Sequence, residues 1–403
     1  MSPLLIIGII TVVFVAAVKL RAPLGFSFLG IALLLGLLSG MPIFGTLKAI
    51  GLSAIAYGTI RLVGIVYLLN LIGLVLSEMG VLRRTVDALQ TIISDRRISM
   101  IVPASLIGLL PMPGGAMLSA PMVEEGSRKF DITPERLTYL NYWFRHLWEY
   151  VWPLYPGIVL STGLLGIQAS KLIAPMWPMT LASIFVGSFI GFRGLKKNGE
   201  HSNAGKSKIR AFGEFIRLTW YVWTVVIFVL FFGFDILPIV AICGLLMLLF
   251  APYKPKKKLG FFKDAVSWKV LTLVAGVMIF KGVLETSGLL EELTVALKFV
   301  PDVVLLFAIP FAIGLLTGVN AAYVGLGFPL LLGFFFSQNG DFEAGNFVFA
   351  YASGFAGVLI SPVHLCLALT KEYFSANWGG IFRFLIPATF IVFACSIVIL
   401  VIL

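Results

Sequence analysis

The stretch Ile107-Gly108-Leu109-Leu110-Pro111-Met112-Pro113-Gly114-Gly115 lies inside the apolar segment 100–122 and breaks it. Its two prolines remove backbone donors and stop a continuous helix, and its two glycines open conformations that other residues avoid. The same opening, Ile313-Gly314-Leu315-Leu316, returns 206 residues later and leads into Thr317-Gly318-Val319-Asn320, a break inside the apolar segment 303–336. Lipid cannot satisfy a free backbone group, so irregular chain at membrane depth persists only where protein or a water-filled cavity surrounds it. Both segments therefore read as re-entrant hairpins. Their tips expose helix N-termini, suited to an anion, and free carbonyls, suited to a cation.

The chain around these breaks is apolar throughout. Of 403 residues, 59% are hydrophobic and 12% charged, about half the charged fraction of a soluble domain. This excludes a soluble enzyme, a disordered chain and a disulfide scaffold, and the roughly ten-residue alternation of an outer-membrane barrel is absent. The fold class is all-α integral membrane. Apolar runs at 2–18, 24–41, 62–79, 133–163, 172–192, 215–232, 236–252, 268–287, 346–370 and 382–403 give ten crossings when the hairpins are left uncounted, each close to the roughly 20 residues a bilayer requires. Segment 133–163 is too long for one straight span, and 42–60 takes no assigned place.

The net charge of +11 is distributed between the runs. Ten crossings put Lys19 and Arg21, Arg83, Arg84, Arg96 and Arg97, Arg128 and Lys129, the linker 194–210, residues 254–258 and Lys371 on one side. Asp235, Glu291, Glu292, Asp302, Asp341 and Glu343 fall on the other. Positive charge marks the cytoplasmic face, so both termini and the loop 337–345 are expected to be extracytoplasmic, in a multi-pass protein of the cytoplasmic membrane. No basic patch is interleaved with surface aromatics, so nucleic acid is not an expected partner. Cys243, Cys366 and Cys395 lie in apolar segments without metal-type spacing and read as small buried hydrophobes.

The halves 1–193 and 211–403, joined by the basic linker 194–210, resemble each other. Gly80-Val81-Leu82 recurs as Gly288-Leu289-Leu290, Pro153 as Pro362 and Pro178 as Pro387, all within three residues of one offset. Five crossings is an odd number, so the second half is expected upside down: an inverted repeat, a common plan of secondary transporters.

A second pair of breaks follows the hairpins. Trp152-Pro153-Leu154-Tyr155-Pro156-Gly157 corresponds to Ser361-Pro362-Val363-His364. Proline in a span frees the carbonyl four residues back, at Glu149 and Val358. A helix entering the membrane near Pro134 carries Arg145 about 16 Å deep at 1.5 Å per residue, where a charge is costly and a functional candidate by default. Asn141, Arg145 and Glu149 would share one helical face, with Glu149 able to neutralise Arg145. His146 would point elsewhere, as a packed histidine. Lys281 and Glu285 read as a structural pair. The candidate solute-binding residues are Pro113, Gly114, Gly115, Arg145, Tyr155, Thr317, Gly318, Asn320, Ser361, Pro362 and His364. Gly114, Glu149, Thr317 and Asn320 are the candidates for a coupling ion. No hydrolase, metalloprotease, nucleotide or dinucleotide motif is present. With three histidines, one of them in the linker, an intramembrane metalloenzyme would lack ligands.

Two inverted five-span halves, each with a re-entrant hairpin and then a proline-broken span, resemble the ion transporter superfamily. That group includes citrate and gluconate permeases, divalent-anion/sodium symporters and the large membrane subunit of TRAP transporters. The segment LPMPGGAMLSAPM at 110–122 is similar to an uncharacterised ten-span family attached to it. Symporter tips carry a Ser-Asn-Thr-type motif for sodium and carboxylate; here the places hold Pro113-Gly114-Gly115 and Thr317-Gly318-Val319-Asn320. The resemblance implies a secondary transporter, not an enzyme, that carries a small organic anion with Na⁺ or H⁺ as coupling ion and needs no cofactor. It also implies a homodimer in the lipid bilayer working by an elevator motion. The alternatives are a membrane-embedded enzyme acting on a lipid-linked substrate and the membrane subunit of a binding-protein-dependent transporter.

Overall fold

The computed structural model describes residues 1–93, 95–109, 115–128, 130–195, 207–296 and 299–403. Pro113 and Gly114 at the first tip, Leu297 in the second half and most of the linker, with its His201, lie outside the described residues. Among the described residues the chain is helical, with one isolated antiparallel bridge, Phe336 to Phe342.

The polarity is that of a membrane protein. Phe44, Phe185, Leu249 and Phe250 are exposed, whereas Asn141, Arg145, His146 and Glu149 are each at most 3% exposed. By length and composition, two helices among the described residues, Tyr57–Glu78 and Trp378–Ile402, suffice to cross a membrane. The number rises to four if the bent pairs Lys208–Leu218 with Trp220–Phe231 (60°) and Pro255–Asp264 with Trp268–Thr286 (44°) each form one span. Eight further apolar helices among the described residues have 10–17 residues. Several expected spans are shortened by their own punctuation. Leu24–Leu38 stops before Gly40, whose φ is +84°, and Ile236–Phe250 before Pro252.

One expected span is cut, and three further segments resolve into shorter helices. The span expected at 215–232 is cut at Thr219, because Lys208–Leu218 is amphipathic and its Glu214 pairs with Arg84 at 2.8 Å. The Thr219 hydroxyl turns back onto the Phe215 carbonyl at 2.7 Å and accepts from the Trp223 indole at 3.0 Å. Segment 42–60, left unplaced, forms the helix Ile43–Ile55, which buries Thr46 and Ala49 and leaves Phe44, Leu47 and Leu52 exposed. Finally, 133–163 is three pieces, Pro134–Arg145, a tight turn Leu147–Tyr150 and Pro156–Leu165. Segment 346–370 likewise divides into Ala344–Leu359 and Leu365–Tyr373.

The first hairpin is Arg96–Gly108 and Ala116–Ser127; the second is Asp302–Thr317 followed by Asn320–Ala322 and a wide helical turn to Leu330. Each is followed by its broken helix and then a long final helix, Trp177–Phe192 or Trp378–Ile402.

Asp302–Thr317 packs on Ala344–Leu359 through glycine. A Cβ at Gly314 would strike the Gly354 carbonyl, and one at Gly357 would meet the Phe311 carbonyl and lie 2.8 Å from the Leu315 amide nitrogen. Both obstacles are backbone and cannot rotate away. Gly357→Val should therefore destabilise the protein by about 1–3 kcal/mol or more, seen as a lower thermal midpoint in detergent. An unchanged midpoint would mean the helices separate freely.

Candidate functional site

The helix Pro134–Arg145 begins on a Thr133 cap, whose hydroxyl accepts from the Arg136 amide at 3.4 Å, with proline in its first turn. It carries Asn141 and Arg145 inward and ends there. His146 then sits in a turn, and the chain tightens over Leu147–Tyr150 ahead of Pro153 and Pro156. This geometry brings His146 and Glu149 to one side, so the face expected for Asn141, Arg145 and Glu149 on one continuous helix is interrupted, and His146 does not point away.

Glu149 is the hub. Its carboxylate accepts from the Tyr155 hydroxyl at 2.6 Å and from the Asn320 amide nitrogen of the second hairpin, and it lies 3.6 Å from His146 Nε2. The main-chain carbonyl that proline frees at Glu149 accepts from the Tyr351 hydroxyl at 3.0 Å. Tyr351 reaches it across Gly157, where a Cβ would lie 2.5 Å from that oxygen. In the second half the Val358 carbonyl accepts from the Ser361 amide at 3.1 Å, and the Tyr142 hydroxyl donates beside it to Leu359 O at 3.1 Å, with Val358 O at 3.5 Å.

The first hairpin touches this hub through small residues. A Cβ on Gly108 would run into the Arg145 carbonyl, and one on Gly115 would lie 3.1 Å from both Nε and Nη2 of Arg145. Glycine at these positions lets the hairpin end lie against the guanidinium. Asn141 Nδ2 donates to Ala116 O at 3.0 Å and to the Thr370 hydroxyl at 3.3 Å, tying the hairpin to the second half.

The second hairpin meets the hub at its glycine turn. Gly318 has a φ of +64°, which closes the helix Asp302–Thr317 in the left-handed region, and a Cβ there would lie 2.7 Å from His364 N and Cα. His364 Nδ1 lies 2.5 Å from Gly318 O, the Ser361 hydroxyl donates to Leu315 O at 2.6 Å, and the Thr317 hydroxyl donates to Ile313 O at 2.7 Å. Asn320 Oδ1 is buried without a hydrogen-bond partner, an acceptor open to a donor or a cation. Of the predicted residues, Gly115, Arg145, Glu149, Tyr155, Gly318, Asn320 and His364 meet here. Thr317 and Ser361 hold neighbouring backbone, and Pro362 faces outward with Val363.

The sequence reading missed His146 and Cys366. His146 Nε2 is 3.2 Å from His364 Nε2 and 3.4 Å from Arg145 Nη1. Cys366, buried as expected, joins them: one donor atom each from His146, His364 and Cys366 lies within 4.8 Å of the others. Its place two residues past His364 in the second break was the available signal. The expected structural pair is present, with Lys281 Nζ 3.4 Å from Glu285 Oε1. Beside the first hairpin a cavity of about 650 Å³ is lined by Arg83, Asp87, Gln90, Arg96 and Ser99, with Ile107 at its hairpin wall.

Fold and centre together define an all-helical protein with the apolar exterior of a membrane protein and a buried polar hub where its two halves meet. A family model described as "Protein of unknown function (DUF401)" matches residues 1–402, and the chain belongs to that family. No curated protein matches it.

Proposed function

We propose that this chain is a secondary active transporter, not an enzyme, carrying a small carboxylate across the cytoplasmic membrane with Na⁺ or H⁺ as coupling ion. It spans the membrane ten times as two inverted repeats with both termini outside. It works as a homodimer in which a hairpin-bearing unit moves against a scaffold.

The observation that carries this reading is the buried hub itself. A guanidinium, a carboxylate, two imidazoles and an unpaired amide oxygen converge where two hairpins meet two broken helices. Buried ionisable groups in membrane proteins mark substrate and ion pathways, and discontinuous helices form the binding sites of many secondary transporters. Arg145 beside Gly115 offers a fork for a carboxylate, and Asn320 Oδ1 offers an oxygen to a cation. The cavity beside the first hairpin is within the size range of small-molecule sites. Ion pairs are compatible with the ten-crossing count, because Arg61–Asp235 (2.5 Å), Glu78–Lys257 (2.7 Å) and Arg84–Glu214 (2.8 Å) each join residues that this count puts at the same membrane face.

The test is uptake of labelled mono-, di- and tricarboxylates by proteoliposomes under imposed Na⁺ or pH gradients. Gradient-driven accumulation of at least one carboxylate is expected, and the effective gradient names the coupling ion. Absence of uptake across the panel under both gradients, from protein that remains folded, would overturn the proposal. Single-cysteine labelling in intact cells tests the topology independently, with Ser202 expected to be unreachable from outside.

A further inference from the structure

The two histidines of the hub face each other in a way that leaves two lone pairs in contact. His146 Nδ1 is 2.6 Å from the Tyr142 carbonyl and His364 Nδ1 is 2.5 Å from the Gly318 carbonyl. A carbonyl oxygen can only accept, so each Nδ1 carries the ring proton, and each neutral ring presents a bare Nε2. These nitrogens lie 3.2 Å apart, and two acceptors at that distance repel unless something positive is shared between them; Arg145 Nη1 approaches His146 Nε2 at 3.4 Å, beyond the usual length of a hydrogen bond. Cys366 supplies a sulfur donor to the same space.

We propose that His146 Nε2, His364 Nε2 and Cys366 Sγ form a zinc site that pins the two broken helices together. Three features carry it. Imidazole nitrogens on one tetrahedral zinc, with Zn–N of about 2.0–2.1 Å, stand about 3.3 Å apart, close to the observed separation. Histidines that bind metal donate their other N–H to a carbonyl or carboxylate, which fixes tautomer and ring orientation, and both rings have that support. One thiol and two imidazoles form a donor set for zinc, whereas magnesium and calcium take oxygen.

Binding forms two Zn–N bonds and one Zn–S bond, and the thiol proton leaves to solvent. The thiolate and the Glu149 carboxylate, 3.6 Å from His146 Nε2, balance the charge of zinc. Arg145 leaves one positive charge in excess. The fourth coordination position stays open and suits water or an anion.

The full chain, purified in detergent and stripped with a chelator, is titrated with Zn²⁺ and, as a spectroscopic probe, Co²⁺. Binding of about one ion per chain is expected, with the visible bands of four-coordinate cobalt and a near-ultraviolet sulfur-to-cobalt band. Cys366→Ser should lose the sulfur band, and His146→Ala with His364→Ala should weaken binding by at least about a hundredfold. The proposal falls if the wild-type chain binds neither ion, or if the double histidine variant binds like wild type. Should the variants fail to fold, the wild-type titration and its sulfur band decide alone. None of these readouts requires transport, so their outcome is separate from that of the uptake experiment.

Discussion

Arg145→Gln should lower carboxylate uptake by about a hundredfold while the protein still inserts and remains monodisperse in detergent. Hydrogen bonds to charged groups contribute about 1.5–3 kcal/mol each, and a hundredfold loss corresponds to about 2.7 kcal/mol, so losing one guanidinium contact is enough. Arg145→Lys keeps the charge and loses the planar fork, and should recover part of the loss. A purely structural role makes a different forecast. If Arg145 only neutralised Glu149, Arg145→Lys, which keeps the charge, would restore uptake in full. If Arg145 binds the solute through its planar fork, Arg145→Lys recovers only part of it. Wild-type uptake by Arg145→Gln would remove this residue from the site.

Much of this site was legible because breaks in apolar chain are conspicuous. Gly318 and the paired prolines stand out in spans that are otherwise leucine, isoleucine and phenylalanine, and the carbonyl of Glu149 follows from the geometry of proline alone. Arg145 was legible by depth. His146 was not, because counting faces assumed that the helix continued. The helix ends at Arg145 and tightens over Leu147–Tyr150, which brings His146 round beside Glu149. Cys366 was hidden for another reason. Its partners are 220 and two residues away, and spacing along one chain cannot register a site assembled from two halves. Helix lengths were overestimated at 24–41 and 236–252, where glycine and proline end the helix within the apolar run.

The second large effect is expected at the link between Glu149 and Asn320. The carboxylate is 3% exposed and accepts from Tyr155 and Asn320, so a residue in the first half's break is bonded to the second hairpin 171 positions along the chain. Asn320→Ala leaves one carboxylate oxygen without its donor, a loss of about 1–3 kcal/mol. Glu149→Gln loses a bond as well, since an amide has one acceptor oxygen and its NH₂ group must face one of the two donors. It also takes the negative charge away from Arg145, and breaking up a buried charge cluster costs about 3–5 kcal/mol. The two substitutions remove one shared interaction, so the double variant should be less destabilised than the sum of the singles, with a coupling of about 0.5–3 kcal/mol. Thermal midpoints of the four proteins in one detergent measure it. Additive shifts would show that the hairpin is not tied to the break through this bond. Asn320→Ala should also change how uptake depends on Na⁺ or H⁺, because the amide oxygen that faces no donor is lost with the side chain. An unaltered ion dependence, with the stability change intact, would leave Asn320 as a tether and take it out of the coupling site.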